Sequence, residues 1–199
     1  EVYDDRIPCE ENVDELMFKM ELVYEHNATH DNTLAVLRSA SDLQAFEKDP
    51  DLIKQIKLKP PTPGPVDFLI TFDTNPYVLE EADGVENFVV MTVYVMKNKK
   101  KERGSFKFEK PIIAVDPFPD WLVPASEDCE KVGNKIEVNW KYPDEWIEKE
   151  KTFVCDFLID PASYPKNYPY QTIHFTAKTN YTFAETRVLP KVKVDRSHC

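Results

Sequence analysis

The side chains that could do chemistry in this sequence are its four histidines and several adjacent acidic pairs. His26 and His30 are four residues apart, a spacing that can hold a metal ion when both lie on a helix. Polar neighbours such as Asn27 favour a loop instead, so we expect both histidines at the surface. His174 lies in a strand-like stretch and alternates out of step with its apolar neighbours, and His198 is next to the last residue. We predict no metal site.

The carboxylates do not define an active site either. Glycosidases and calcium sites both use paired carboxylates, but 36 Asp and Glu residues in a chain of 199 make adjacent pairs routine. The sequence has no GxSxG, GxGxxG or GxxxxGK[ST] motif. We therefore predict that the protein is not an enzyme and uses no cofactor. The adjacent pairs are Asp144 and Glu145, Glu80 and Glu81, and Glu127 and Asp128.

The cysteines and two sequons indicate an oxidising, secretory environment. The cysteine count is even and contains no CxxC pair, which favours two disulfides over zinc. Three of the four cysteines lie in the second half, so we expect at least one bridge there. Asn27 and Asn180 begin N-glycosylation sequons, and a start without Met fits a mature form after removal of a signal peptide. The cysteines are Cys9, Cys129, Cys155 and Cys199.

The charge balance bears on the partner. A net charge of −11 repels phosphate, so we predict no nucleic-acid partner and favour a protein with a basic surface. The basic run KNKKKER, residues 97–103, is interpreted as a solvated hairpin turn.

No run of 18 apolar residues occurs, so the sequence predicts no membrane span in this chain.

The elements that must position these groups are mostly short strands. Sixteen prolines interrupt alternating apolar runs, and the prolines of residues 59–65 predict an extended connection. We expect strands at 18–24 and 33–38, separated by a polar loop at 26–32 that carries the first glycan. A capping-box pattern beginning at Ser41 predicts one short helix near 41–49, ended by Pro50.

A proline-containing break at 116–120 divides the strand pattern. It predicts two tandem β-sandwich domains, the architecture that immunoglobulin and fibronectin III domains share. The first would span 1–115 and include the short helix, and the second would span 120–199. Six or seven strand-like runs after the break match the size of one small sandwich.

Three stretches that begin within residues 108–157 carry a family resemblance: KPIIAVDPFPDWL, KIEVNWKYPDEW and TFVCDFLID. They resemble the junction and first strands of a cytokine-receptor-type fibronectin III domain. There a proline-containing linker leads to a strand with a tryptophan, followed by a proline turn with a second tryptophan. The resemblance implies a domain that binds other proteins, with Trp140 filling the space between its sheets.

These features together predict a secreted or cell-surface glycoprotein that acts by protein–protein binding, as a receptor-like or cytokine-binding module. The alternatives are an adhesion or fusion ectodomain cut from a larger membrane protein, and a secreted hydrolase or lipid carrier. Large aromatic side chains on loops are the candidate binding anchors, because Tyr and Trp bury much area with few rotatable bonds. These candidates are Trp121, Tyr142, Trp146, Tyr164, Tyr168 and Tyr170.

Overall fold

Most of the chain forms strands of two large sheets, as seen in a computed structural model of the protein. The structure describes residues 15–80, 85–98, 104–139 and 145–193. The strands are β1 (Glu15–Leu16), β2 (Lys19–Leu37), β3 (Val66–Phe72), β4 (Tyr77–Val78), β5 (Asn87–Lys97), β6 (Ser105–Phe108), β7 (Ile112–Asp116), β8 (Leu122–Pro124), β9 (Cys129–Val132), β10 (Lys135–Val138), β11 (Glu150–Ile159), β12 (Tyr170–Val188) and β13 (Val192–Lys193). The two helices are α1 (Ala40–Phe46) and α2 (Pro50–Ile56). The mainly β class predicted from the sequence is confirmed.

The strand order defines a seven-stranded and a four-stranded sheet. The larger sheet has the order β4-β2-β12-β7-β10-β9, with β6 also paired to β12, and the smaller has the order β3-β5-β11-β8. β1 and β13 form a separate two-stranded pair. The longest pairing joins β2 and β12, which run antiparallel without interruption over 19 residues each.

The core lies between the two large sheets. Alternate residues of each strand point inward, which is the expected pattern for packed sheets with one face covered. Several phenylalanines are fully buried there, among them Phe68, Phe106, Phe157, Phe175 and Phe183. Phe175 makes edge-type contacts with Phe72 and with Phe157, at centroid distances of 5.0 and 6.1 Å. Aromatic rings therefore contact one another across the two sheets, within a buried cluster that also contains many aliphatic side chains.

Each large sheet combines strands from both sides of the predicted break at 116–120. β2 precedes the break and pairs with β12, and β5 precedes it and pairs with β11. One cluster of buried side chains includes residues from both sides. This arrangement differs from the predicted tandem sandwiches at 1–115 and 120–199. Alternation identifies a strand but not its partner, because partners are chosen by long-range packing.

The polar loop predicted at 26–32 is wrong, because these residues are the middle of β2. Their inward-facing members are Ala28, His30 and Asn32, all buried. Hydrogen bonds compensate the burial: His30 Nδ1 accepts from the Ile70 amide at 3.2 Å, and the Asn32 amide group donates to the Ile70 carbonyl at 2.9 Å. A buried polar group with such partners is tolerated within a core. His30 is therefore not a surface histidine.

The predicted helix exists but begins earlier than its sequence signal. The Ser39 hydroxyl, not that of Ser41, accepts from the Asp42 amide and caps α1. Asp49 then caps α2, whose first residue is Pro50. Both helices lie beside one end of β2, where Phe46 packs on Ala35 and other apolar residues of a second, smaller buried cluster.

Candidate functional site

The two sequon asparagines lie directly opposite each other on β2 and β12. Asn27 is the register partner of Asn180, and both side chains are exposed. Opposite residues of an antiparallel pair project from the same face, with Cβ atoms about 4.5–5.5 Å apart. The Asn180 amide donates to a carboxylate oxygen of Glu109 at 2.7 Å. Any sugars attached at these sites would leave the protein from nearly one point.

A shallow depression of about 370 Å³ surrounds this pair of asparagines. Its charged groups are Glu25, Glu109 and Lys107. Lys107 also places its ammonium 5.6 Å from the centre of the Trp146 ring, a cation–π contact. Trp146, one of the predicted anchors, is 44% exposed. Its contact with Lys107 places it beside the sequon pair.

A second depression, of about 440 Å³, lies near the Leu37–Tyr170 end of the β2–β12 pair. Arg38, Asp42 and Lys166 contribute charge to it, and the predicted anchor Tyr168 contributes an aromatic ring that is 58% exposed. The Arg38 guanidinium donates to the Lys166 carbonyl at 2.6 Å, and the Arg38 amide donates to the Pro169 carbonyl at 3.0 Å. These two bonds fix the loop that carries Tyr168.

The tyrosines on either side of Tyr168 support the loop from below. The Tyr164 hydroxyl donates to the Val36 carbonyl at 2.8 Å, and burial, with a smaller effect of Asp42, raises the pKa of Tyr164 well above its usual range. The Tyr170 ring is partly buried and meets Phe46 edge-on at 5.7 Å. Tyr168 is therefore an exposed ring on a well-anchored loop.

Two of the predicted anchors belong to the core, which corrects their assignment as surface residues. Trp121 is 5% exposed and Tyr164 is 4% exposed, and their rings contact each other at 5.0 Å. Both fill space beneath the loops that carry them. Tyr142 and Trp140 lie outside the described residues. The six predicted anchors thus do not form one surface: Trp146 and Tyr168 are exposed in different regions.

One of the predicted disulfides is present within the second half of the chain, as expected. Cys129 and Cys155 are bonded, with their Cα atoms 5.6 Å apart. Cys129 belongs to β9 of the larger sheet and Cys155 to β11 of the smaller, so this bond joins the two sheets. Cys9 and Cys199 lie outside the described residues.

Sequence reasoning did not single out Tyr181, whose hydroxyl is buried in an unusual setting. Within the described ranges, this hydroxyl has no hydrogen-bond partner. It lies against Gly64, where an added Cβ would approach it to 2.8 Å. Burial and, to a lesser degree, Tyr24 raise the pKa of Tyr181 to about 12, although the nearby Val66 backbone opposes the shift. The close approach of Gly64 gives that glycine a packing role.

Sequence reasoning also missed an apolar surface at the Lys19–Val188 end of the β2–β12 pair. The available signal was the run of large apolar residues just before and within the start of β2. These exposed residues are Met17, Phe18, Met20, Leu22, Val23, Tyr24, Val188 and Leu189.

The described residues contain no grouped metal ligands. Among residues 15–80, 85–98, 104–139 and 145–193, no three His, Cys, Asp or Glu side chains are grouped so that they could hold a metal ion. His174 is exposed and shares a hydrogen bond of 2.9 Å with the Thr33 hydroxyl, facing away from the core as its alternation predicted.

In the same described ranges, no helix is both long enough and apolar enough to cross a bilayer.

No protein-family model, curated protein or solved structure is significantly similar to this chain. The resemblance to cytokine-receptor fibronectin III domains therefore stays a prediction.

Proposed function

We propose that this protein is a secreted or cell-surface glycoprotein that binds another protein through the loop that carries Tyr168. The observation that carries the proposal is a half-exposed tyrosine ring on a loop held rigid by Arg38 and by the buried Tyr164. A tyrosine on a loop whose backbone is already anchored requires little backbone ordering on binding, and exposed tyrosines often dominate binding energy.

The position of the sequons supports this choice of surface. Asn180 and Tyr170 are ten positions apart on β12, a span of about 33 Å along a strand. Glycans at Asn27 and Asn180 would therefore leave the Tyr168 loop uncovered. They would crowd Trp146 instead. We therefore rank Trp146 below Tyr168 as a candidate anchor.

The charge of the chain supports a basic partner. A net charge of −11 attracts a basic protein over a long range and accelerates encounter, an effect that weakens as salt is added. At the contact itself, the depression beside Tyr168 contains both Lys166 and Asp42, so its local charge is mixed and the attraction of a basic partner comes from the chain as a whole.

A comparison of baits tests this function. The full chain, produced in a eukaryotic secretory system, is immobilised as wild type, Tyr168→Ser, Trp146→Ala and Val132→Ser. Val132 is the matched control because it is similarly exposed but lies on β9. Proteins captured from the extracellular fluid of the source organism are identified and quantified by mass spectrometry.

We expect at least one captured protein to depend on Tyr168. Loss of a tyrosine hot spot costs about 2 kcal/mol, so Tyr168→Ser should weaken its binding about thirtyfold while Val132→Ser leaves it unchanged. Trp146→Ala should retain cooperative unfolding and have a smaller effect. If every captured protein binds the Tyr168→Ser and Val132→Ser baits equally well, the Tyr168 loop is not the binding surface.

A further inference from the structure

One edge of β2 is open over the half of the strand that carries the exposed apolar residues. β12 pairs with the other edge along its whole length. On the open side, within the described ranges, β4 pairs only with Val36 and Leu37. From Lys19 to Asn27, no described strand lies along this edge. Unpaired strand edges are templates for pairing with another chain.

Farther along the same edge, side chains and one backbone amide replace a neighbouring strand. The Asn75 amide group donates to the Thr33 carbonyl at 2.7 Å, while its oxygen accepts from the Ala35 amide at 3.0 Å. The Thr62 hydroxyl donates to the Thr29 carbonyl, and the Leu79 amide donates to the Leu37 carbonyl. The edge is therefore closed from residue 29 to residue 37.

These contacts also reveal which backbone groups face outward. All of them involve odd-numbered residues of β2, and the pairing of β2 with β12 contains no bulge. Because strand residues alternate in the direction of their backbone N–H and C=O groups, the odd-numbered residues from Lys19 to Asn27 direct theirs toward the open edge. Any second strand must hydrogen-bond to these residues.

The side chains along the open edge separate by face. Met20, Leu22 and Tyr24 continue the core-facing side of β2, yet all three are exposed. The opposite face presents the charged groups Lys19, Glu21 and Glu25, with Val23 between the two glutamates. The edge therefore offers a partner an apolar stripe on one face. On the other face it offers one positive charge, Lys19, and two negative charges, Glu21 and Glu25.

We propose that a second copy of this chain pairs with this edge, antiparallel, with Leu22 opposite Leu22 on a two-fold axis. In that register Lys19 lies opposite Glu25 twice, once on each side of the axis. Met20 lies opposite Tyr24, so the apolar stripes of the two copies become continuous. Odd-numbered residues face odd-numbered residues, which permits about eight hydrogen bonds between the chains.

Neighbouring registers fit less well. A centre on Val23 keeps the hydrogen-bonding parity but places Glu21 opposite Glu25 twice, and like charges directly opposite each other are destabilising. A shift of one residue between the chains opposes an outward-facing residue with an inward-facing one and removes the hydrogen bonds. The Asn27 side chain points away from the sheet and lies beyond the Lys19–Glu25 pairs, so a glycan there is compatible with the dimer.

The contact is small, and the net charge of each copy opposes it. For a weak, transient interface we expect a dissociation constant of about 1 to 100 µM. This self-association is independent of the Tyr168 surface, which lies near the other end of the β2–β12 pair.

Charge reversal tests the register. Sedimentation equilibrium of the full chain should detect a dimer that Lys19→Glu and Glu25→Lys each weaken by at least about tenfold, because each change replaces two attractive pairs with two repulsive ones. The double variant Lys19→Glu/Glu25→Lys should restore wild-type dimerisation. A wild-type chain that stays monomeric up to about 100 µM overturns the proposal, and so does a dimer indifferent to the single reversals.

Cross-linking gives a second readout that does not depend on charge. Facing residues at a non-hydrogen-bonded position have Cα atoms about 4.5 Å apart, within the range for a disulfide. Leu22→Cys should therefore form a covalent dimer on mild oxidation. Val23→Cys is the matched control, because in the proposed register Val23 faces Glu21 and not its own copy. Equal cross-linking of the two variants would contradict the Leu22 axis.

Discussion

The two ends of the β2–β12 pair are built from the same alternation of residues but have different surroundings. At the Leu37–Tyr170 end, α1 and α2 cover the outer face of the sheet through Phe46, and Asn75 closes the strand edge. At the Lys19–Val188 end, the described elements cover neither the apolar side chains nor the open edge. We call these regions the covered end and the open end.

The difference shows that strand pairing alone does not bury a β-ribbon. Backbone pairing is continuous from one end to the other, yet apolar side chains are buried only where a second layer lies above them. The covered end therefore contributes to folding stability, while the open end retains apolar area that an interaction can bury. Substitutions at the covered end should change the free energy of unfolding, and substitutions at the open end should change association.

The largest contrast is expected from removing one phenylalanine at each end. Phe46→Ala should lower the free energy of unfolding by about 3 kcal/mol, because it empties a buried site beside Ala35 and Leu37. Phe18→Ala should change it by less than about 0.5 kcal/mol, because the Phe18 ring is half-exposed. Urea unfolding of both variants at low protein concentration measures the difference. Comparable losses would mean that the open end is buried in solution.

The sequence predicted most of the strands because alternation marks a half-buried strand directly. It also indicated a short helix, one disulfide in the second half and the outward direction of His174. Each of these depends on near neighbours along the chain or on residue type. Local patterns carry that information well.

The failures depend on long-range contacts. His30 and Asn32 looked like loop residues because the Lys59 and Ile70 backbone groups that hydrogen-bond to them are distant in sequence. Trp121 sits in a proline-rich stretch that suggests an exposed loop, but the Tyr164 ring covers it. The pairing of β2 with β12 across the predicted domain break likewise has no local signature. The open end was missed because alternation does not show which faces receive a second layer.

A smaller contrast is expected from removing one buried hydroxyl in each region. Tyr164→Phe should lower the free energy of unfolding by about 1 to 2 kcal/mol, because the Val36 carbonyl loses its donor. Tyr181→Phe should leave it unchanged or raise it by up to about 1 kcal/mol, since that hydroxyl is buried without a partner among the described residues. The same urea experiment measures both. A clear loss in Tyr181→Phe would show that its hydroxyl is hydrogen-bonded in solution.

The smallest expected effect is on alkaline stability. Folding raises the pKa of Tyr164 and Tyr181 above their ordinary value of 10.0, to about 12 for Tyr181. Below pH 10 both phenols are neutral whether the chain is folded or unfolded, so neither makes stability depend on pH. Above pH 10 the unfolded chain releases these protons while the folded chain keeps them, so stability falls as the pH rises.

Each Tyr→Phe variant should therefore flatten this loss, and the two should do so by similar amounts up to pH 11, because both folded phenols stay protonated over this range while the unfolded chain releases both protons. Urea unfolding at pH values from 8 to 11 is the measurement, with Tyr168→Phe as the exposed control. The covered end and the Tyr181 site would then contribute similarly to the alkaline sensitivity over this range. An equal slope in Tyr164→Phe and the control would mean that the unfolded chain shields Tyr164 as well as the folded one does.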